Sequence, residues 1–319
     1  MSLYYDIFNG DADGICSLHQ LRLAESRQAT LVTGVKRDIR LLDQVAQVRG
    51  AELTVLDISL DSNRTALLQL LEYCRVFYVD HHYAGDLPPS PNLVAHLDPS
   101  PEICTALMVD VLLSGRFRAW AVAAAFGDNL HASARKAAAT LQLTEAQVER
   151  LQELGELMNY NSYGRQIADL HIPPQMLYEA VKPYADPLVF CEEAEFLALL
   201  RQGFADDLRR ARMITALRET AHGRVFAFPA EKWANRIAGV FSNEKARERP
   251  DAAHALLVDN DDGSFMVSVR APLVRRQGAD SLCCAFATGG GRAAAAGINA
   301  LPAGQIEDFC QKFNEVFSP

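Results

Sequence analysis

The segment that sets the fold is LYYDIFNGDADG, residues 3–14. Its first half, Leu3–Phe8, is rich in the aromatic and apolar residues typical of a β-strand. Its second half, Asn9–Gly14, alternates aspartates with small residues, which favours a tight turn at the end of that strand. A helix-like stretch from Ile15 to Ala24 comes next. The segment therefore predicts a strand, a turn and a helix in direct succession.

The same alternation of strand and helix patterns continues over the first 130 residues. Strand-like runs follow at Thr30–Val35, Leu53–Ile58, Val76–Val79 and Leu93–Leu97, and helical spacing appears between them at Ile39–Val48 and Thr65–Tyr73. Strands that alternate with helices indicate a parallel sheet covered on both faces. We therefore predict an α/β fold in which a larger N-terminal domain, residues 1–130, holds a mostly parallel sheet covered by helices.

Residues 131–221 have a helical composition and contain no convincing strand pattern, so we predict a helical extension and connector there. Thr144 and Gln147 fit a capping box that opens a helix, and Pro174 is placed to start another. A long amphipathic helix is expected at Phe204–Ala221.

Strand patterns return in residues 222–319, where we predict a smaller C-terminal α/β domain. Asp261-Asp262-Gly263 is the expected hairpin turn between two of its strands.

Composition limits the class of protein. The net charge is −9, and the whole acidic surplus lies in the first 221 residues, which is poorly suited to binding a long nucleic-acid duplex. The sequence has no long uncharged apolar run, no signal-peptide pattern and no CxxC pair. We expect a cytoplasmic protein with no membrane partner that acts on short or small anionic substrates.

Acidic residues and a histidine pair follow the predicted strands. Asp11 and Asp13 come after the first strand, Asp57 ends the third, and Asp80-His81-His82 ends the fourth. In an open parallel sheet, ligands bind beyond the carboxyl ends of the strands, so these segments should converge. Any one of these aspartates alone is more often a turn or helix-capping residue. Their joint placement at one sheet edge instead favours a site.

Asp128 adds another carboxylate, because it follows a very apolar helical run that begins at Ala119. Such a buried acid is costly unless it is paired or binds a metal ion. Carboxylates favour Mg²⁺ and Mn²⁺, and a histidine ligand shifts the preference toward Mn²⁺. We predict two ions roughly 3.5–4 Å apart that serve phosphate-ester hydrolysis. Asp57 is the expected bridging carboxylate, and His82 is expected to contact the substrate phosphate or orient the leaving group.

These motifs resemble those of the DHH phosphoesterases. Asp80-His81-His82 is similar to the family signature, Asp11-Ala12-Asp13-Gly14 to its first motif, and Asp57 and Asp128 to its second and fourth. The segment GGGRAAAAG, residues 289–297, is similar to the glycine-rich loop of the DHH-associated domain. The family includes RecJ-type exonucleases, nano-RNA hydrolases, cyclic-dinucleotide phosphodiesterases and pyrophosphatases.

The resemblance implies a role for each matching residue. It makes residues 1–130 the metal-binding catalytic domain and residues 222–319 the substrate-binding domain. Asp80 would support the site without binding the metal. The implied metal ligands are Asp11, Asp13, Asp57, His81 and Asp128. The implied substrates are a short single-stranded oligonucleotide, a cyclic dinucleotide or a small nucleotide, and a homo-oligomer is compatible with the sequence.

Anion-binding candidates lie in the C-terminal domain. In a glycine-rich loop, Gly289, Gly290 and Gly291 can bring backbone N–H groups close to a phosphate. Arg292, followed by a helix-forming stretch, and Arg270, at the end of a predicted strand, are candidate phosphate ligands through their planar guanidinium groups.

The sequence departs from the family pattern at two positions. Asn9 stands where many members have a metal-binding His or Asp, and an amide oxygen is a weak ligand. Arg292 stands in place of the usual histidine. These departures motivate an alternative hypothesis, in which the protein is a catalytically impaired sensor or scaffold that binds nucleotides or nucleic acids.

Overall fold

Parallel strands build the first sheet of the protein. The computed structural model describes residues 3–318, which divide into a first unit ending at Gln202 and a second beginning at Gly203. The strands of the first unit are β1 (Leu3–Phe8), β2 (Thr30–Val32), β3 (Ala51–Leu56), β4 (Arg75–Asp80) and β5 (Leu93–Leu97). They lie in the order β2-β1-β3-β4-β5, and every neighbouring pair is parallel. The predicted α/β fold with a mostly parallel sheet is therefore confirmed.

Helices surround this sheet and continue beyond it. They are α1 (Ala12–Ala24), α2 (Leu60–Leu71), α3 (Thr105–Leu112), α4 (Arg118–Gly127), α5 (His131–Ala138), α6 (Glu145–Ser162), α7 (Pro174–Val181) and α8 (Pro187–Glu193). Short 3₁₀ turns lie at Leu41–Gln44 and Ile167–Asp169, and α9 (Glu195–Arg212) crosses the division between the units. No helix within residues 3–318 is long and apolar enough to cross a membrane.

The second unit contains a mixed sheet of its own. Its strands are β6 (Arg218–Glu219), β7 (Gly223–Phe228), β8 (Ala253–Asp259), β9 (Ser264–Arg270), β10 (Gly289–Arg292) and β11 (Ala295–Pro302), in the order β10-β11-β9-β8-β7-β6. Only β7 and β8 are paired in parallel. The helices are α10 (Lys232–Glu248), α11 (Ala279–Cys284) and α12 (Ile306–Phe317), with a 3₁₀ turn at Ala303–Gln305. The boundaries predicted for the domains and connector stay a prediction.

Close packing between three helices of the first unit positions the end of α4. A Cβ atom added at Gly155 of α6 would lie 1.9 Å from the carbonyl oxygen of Ala123 on α4. A Cβ atom at Gly127, the last residue of α4, would lie 2.6 Å from the Cβ atom of Ala12 on α1. Only glycine fits at these two contacts, and it allows α4 to lie directly against α1 and α6. Asp128, the residue after α4, therefore lies beside the first turn of α1.

Some predicted elements are confirmed and others are wrong. The capping box of Thr144 and Gln147 opens α6 as predicted. The helix predicted at Ile39–Val48 is only a short 3₁₀ turn. The reason is that the carbonyl of Ile39 accepts from the side chain of Asn63, while the N–H of Asp43 donates to the carbonyl of Arg40, three residues back, instead of to Ile39.

Two predictions near and within the second unit fail because strand pairing overrides a helical pattern. The helix predicted at Phe204–Ala221 ends at Arg212, since the chain beyond it pairs with β7 through β6. The stretch after Arg292, predicted as helix-forming, enters β11, which pairs with β9 and β10.

Candidate metal centre

The candidate centre lies at the carboxyl edge of the first sheet. The strand order reverses between β1 and β3, and such a reversal leaves a crevice beyond the strand ends. Asp11 and Asp13 follow β1, Asp57 follows β3, and Asp80 is the last residue of β4. The structure thus brings together at one edge the acidic residues that the sequence singled out.

His81 is surrounded by three carboxylates from separate parts of the chain. Its Nε2 atom lies 3.5 Å from Oδ1 of Asp57, 3.6 Å from Oδ2 of Asp128 and 3.9 Å from Oδ2 of Asp13. The Asp13 and Asp57 side chains are buried, with exposures of 1% and 4%. Two groups of three side chains place their ligand atoms within 4.8 Å of one another, Asp13 with His81 and Asp128, and Asp57 with His81 and His82. Imidazole and carboxylate ligands at this spacing suit a divalent cation.

Asp57 adopts a left-handed backbone conformation, which is uncommon for residues other than glycine. Its φ angle is 57°, while its N–H donates to the carbonyl of Val79 on β4 at 3.1 Å. Non-glycine residues in this left-handed region cluster at functional sites, where the surrounding structure holds them. The unusual backbone turns the chain immediately after β3 and is a further mark of a site.

The N-terminus of α3 holds Asp13. The backbone N–H groups of Thr105 and Ala106 donate to its two carboxylate oxygens at 2.8 and 2.7 Å, as expected for an anion at a helix N-terminus. The Thr105 hydroxyl also donates to Oδ1 of Asp57 at 3.3 Å. Thr105 was missed from the sequence, although a threonine before the apolar run of α3 is a recognisable helix-start signal.

Asp11 is both a helix cap and part of the centre. Its Oδ1 atom accepts from the N–H groups of Asp13 and Gly14 at 3.0 and 3.1 Å, and its Oδ2 atom pairs with the Lys36 ammonium. Burial alone would raise the pKa of Asp11, but the Lys36 charge and these hydrogen bonds lower it below its ordinary value. Asp11 is therefore a helix-capping residue, which was the alternative to a site residue. It nevertheless also lies in the candidate centre.

Lys36 is the main residue of the centre that sequence reasoning missed. Its ammonium contacts Asp11, lies 3.3 Å from Oδ1 of Asp128, and donates to Oδ1 of Asn159 at 2.9 Å. Burial would lower the pKa of Lys36, but the charge of Asp11 raises it well above its ordinary value. Lys36 could have been found from the sequence, because it directly follows a predicted strand and so should lie at the same edge of the sheet as the aspartates.

Asp80 and His82 form a hydrogen-bonded pair next to His81. Nδ1 of His82 lies 2.6 Å from Oδ1 of the fully buried Asp80, while the His82 side chain is 43% exposed. Burial lowers the pKa of His82, but the hydrogen bond and charge of Asp80 outweigh burial and raise it. Asp80 therefore favours the protonated form of His82 and fixes the orientation of its ring.

The electrostatics of the centre favour a bound cation. Burial, followed by the charge of Asp128, raises the pKa of Asp13, and burial with the charges of Asp13 and Asp11 raises that of Asp57. Among the described residues, Oδ1 of Asn9 and Oδ2 of Asp80 are buried acceptors that lack a hydrogen-bond partner. Crowded carboxylates together with unsatisfied oxygen atoms fit a hard divalent ion.

The glycine-rich segment of the second unit forms a strand, so its prediction as a loop is wrong. Gly289, Gly290 and Gly291 all lie in the edge strand β10, where Gly290 pairs with Gly297 of β11 and Gly291 pairs with Ala296. The physical reason is close antiparallel pairing: the φ angle of Gly291 is 137°, and a Cβ atom there would lie 2.5 Å from the Cα atom of Ala296. A Cβ atom at Gly290 would meet nothing within 4 Å. The glycines therefore serve strand pairing, and binding of a phosphate by their N–H groups stays a prediction.

The two candidate arginines lie on either side of the same strand. Arg270 and Arg292 both pair in register with Ala295 of β11, so they share one face of the sheet with only a small residue between them. Arg270 donates to Oδ1 of Asn243 at 2.9 Å, and Arg292 is exposed. This face can offer two guanidinium groups to an anion.

Comparison with known proteins identifies the fold. Neither a protein-family model nor a curated protein matches the sequence. A solved DHH domain, described as a member of a family of ribosomal proteins, has a TM-score of 0.66 at 13% identity, covering 99% of this chain and 87% of that one. Exonuclease RecJ bound to manganese has a TM-score of 0.61 at 15% identity, with coverages of 98% and 89%.

A third solved structure, a pGpG-specific phosphodiesterase from Vibrio cholerae, has a TM-score of 0.55 at 14% identity, covering 98% of this chain and 99% of that one. The chain therefore has the fold of DHH-domain proteins of the RecJ type. The resemblance predicted from the sequence motifs is confirmed at the level of the fold.

Proposed function

We propose that the protein is a metal-dependent phosphoesterase that hydrolyses phosphodiester or phosphomonoester bonds in short oligonucleotides or small nucleotides. The observation that carries this proposal is the arrangement around His81, whose Nε2 atom lies 3.5–3.9 Å from Asp13, Asp57 and Asp128. These residues would hold a divalent ion, Mn²⁺ by preference or Mg²⁺, as the mixture of imidazole and carboxylates suggests. Such an ion would neutralise phosphoryl oxygens and acidify a bound water.

Asp57 and the Asp80–His82 pair are the proposed catalytic residues. Asp57 is the central carboxylate, because it lies against His81 and its orientation is fixed by a strained backbone and the Thr105 hydroxyl. His82 is oriented by Asp80 and partly exposed. It would hydrogen-bond the substrate phosphate or donate a proton to the leaving oxygen.

The remaining residues of the acidic edge complete the proposed metal site. Asp11 adds a carboxylate beside Asp13, and Asn9 offers an amide oxygen that has no partner within residues 3–318.

The substrate class is inferred from the neighbours and from the second unit. The RecJ exonuclease and the pGpG-specific phosphodiesterase both cleave phosphodiester bonds, and both share this fold. Arg270 and Arg292, on one face of the second sheet, would bind substrate phosphates together with the N–H groups of Gly289, Gly290 and Gly291. We accordingly assign metal binding to the first unit and substrate binding to the second.

A hydrolysis screen tests the proposal. Purified protein would be assayed with Mn²⁺, with Mg²⁺ and with chelator alone. The substrates would be a linear dinucleotide, a cyclic dinucleotide, a nucleotide bisphosphate and a longer single strand. We expect metal-dependent turnover of at least one short substrate. The Asp57→Asn variant should reduce the rate by roughly 100-fold or more, as expected when a metal site is impaired.

Asp43→Asn is the matched control, since Asp43 lies in the 3₁₀ turn with a half-exposed side chain that pairs with Arg40. Its rate should equal that of the wild type. An unchanged rate in Asp57→Asn would contradict the assigned site. Tight binding of a nucleotide without turnover under any divalent ion would instead favour the sensor hypothesis.

A further inference from the structure

Asp128 contacts two different positive partners through its two carboxylate oxygens. Its Oδ2 atom lies 3.6 Å from Nε2 of His81, and its Oδ1 atom lies 3.3 Å from Nζ of Lys36. In a centre with two metal ions, a carboxylate commonly joins the ions in this way. Here Asp128 joins an imidazole on one side to the Lys36 ammonium on the other.

The oxygen atoms around the Lys36 ammonium are those that a hard cation would use. They come from the carboxylates of Asp11 and Asp128 and from the amide of Asn159. An ammonium has three N–H donors and no acceptor, so these contacts match its donors one to one. The Lys36 side chain is only 27% exposed, which places the charge within the centre rather than in solvent.

The backbone of Lys36 is held on both sides. Its N–H donates to the carbonyl of Ser162 at 3.0 Å, at the end of α6, and its carbonyl accepts from Nδ2 of Asn9 at 3.1 Å. Asn9 is the residue that departs from the expected His or Asp. A carboxylate at position 9 has no N–H to donate to this carbonyl, so the Asn9 amide helps to fix the backbone from which the Lys36 side chain extends.

We propose that Lys36 replaces the second divalent cation, so that the centre binds a single ion held by Asp13, His81 and Asp128, with Asp57 3.5 Å from the same imidazole. This inference rests on the proposed metal-dependent function. It changes the number of bound ions from the two predicted from the sequence to one. A fixed ammonium neutralises Asp11 and one oxygen of Asp128 permanently, but it cannot acidify a bound water. The positive charge on the Asp11 side would therefore help to hold phosphate oxygens, while water activation would depend on the His81 side.

Counting bound Mn²⁺ tests the proposal without relying on activity. Isothermal titration calorimetry and electron paramagnetic resonance would be applied to the wild-type chain and to Lys36→Met, whose uncharged side chain is one atom shorter and leaves the position of the ammonium free. We expect one equivalent of magnetically isolated Mn²⁺ in the wild type. Lys36→Met should take a second equivalent, with a spectrum showing coupling between the ions.

Two variants serve as controls, and circular dichroism would verify that each is folded. Lys36→Arg keeps the charge and should retain one equivalent. Lys182→Met removes an exposed lysine that pairs with Glu179 and should behave as the wild type.

Two coupled ions in the wild type, or one ion in both the wild type and Lys36→Met, would overturn the role proposed for Lys36 and leave the proposed function standing. No bound ion in any folded variant would overturn the proposed function together with it.

Discussion

Aspartates end strands in both units, but their surroundings are opposite. In the first unit, Asp57 and Asp80 are buried at the edge of the sheet, and Oδ2 of Asp80 has no partner among the described residues. In the second, Asp259 accepts from the N–H of Asp261, and Asp262 accepts from the N–H and hydroxyl of Ser264, in an exposed hairpin turn. The comparison indicates that position after a strand does not by itself distinguish a candidate site residue from a turn residue, whereas burial does.

The largest expected difference between the two regions is in metal affinity. Asp128→Asn should weaken Mn²⁺ binding by at least about 100-fold, because the variant loses a carboxylate that contacts the centre. Asp262→Asn in the hairpin of the second unit should leave the affinity unchanged. Isothermal titration calorimetry of the folded variants measures both, and equal losses in the two variants would remove the distinction drawn between the regions.

Acid sensitivity is the property that the two units should share. His19 in the first unit and His254 in the second are buried, and burial lowers the pKa of each to about 4. A histidine with a lowered pKa binds protons more readily when unfolded, so stability decreases as the pH falls from about 6.5 toward 4. Between pH 7 and pH 5, each should cost about 2 kcal/mol of unfolding free energy.

Urea unfolding at both pH values checks this prediction. His19→Gln and His254→Gln should each flatten the pH dependence by a similar amount, with the transition of the corresponding unit affected. A pH dependence unchanged in both variants would assign the acid sensitivity to other groups.

In the metal-free protein, Asp57 at the acidic edge should have a smaller effect on stability, and this effect should stabilise the fold as the pH falls. Burial and the neighbouring carboxylates raise the pKa of Asp57, so its ionised form destabilises the fold at pH 7, and this penalty decreases as the pH falls. Asp57→Asn should therefore raise the melting temperature by about 2–4 °C for each kcal/mol of penalty removed. Asp262→Ala should lower it slightly, because a turn hydrogen bond is lost.

Differential scanning calorimetry in the presence of chelator measures both shifts. If Asp57→Asn melted below the wild type without metal, crowding of the carboxylates would not be the dominant effect at this position.

The sequence predicts those parts of the site that follow strands in the chain. Asp57 and Asp80 were found because the apolar runs before them mark the ends of β3 and β4, and β1 and β5 have the bounds that were predicted. Asp128 was found because an acid after the apolar run of α4 is costly. These signals are local, and the convergence of strand ends follows from the parallel sheet.

The rest of the site depends on contacts that are distant in sequence. Lys36 and Asn159 are separated by 123 residues, and Thr105 and Asp13 by 92. Which residue reaches which carboxylate is set by the packing of α3 against α1 and β4 and of α6 against α4 and α1, and no periodic pattern in the chain records it. The helix expected at Ile39–Val48 failed for the same reason, since the capturing side chain of Asn63 lies elsewhere in the sequence.

The glycine-rich segment failed as a loop for a related reason. Three glycines in succession, Gly289, Gly290 and Gly291, favour a flexible turn when they are considered alone. The partner that makes them a strand is β11, and its pairing with β10 depends on a tight approach at Ala296 that only glycine permits. The three glycines therefore indicate that another stretch of backbone packs closely against this segment. They do not indicate that this stretch is β11.

The contact of α4 with α1 and α6 gives the centre its rigidity. At Gly155 and Gly127 the helices approach more closely than any side chain would allow, so the position of Asp128 is fixed before any cation arrives. The free energy needed to gather mutually repelling carboxylates would then be supplied by folding, and an ion bound at the proposed site would meet preorganised ligands. Gly155→Ala would add a single methyl group on α6, a helix that provides no ligand to the proposed ion. This substitution should nevertheless reduce the affinity for the metal.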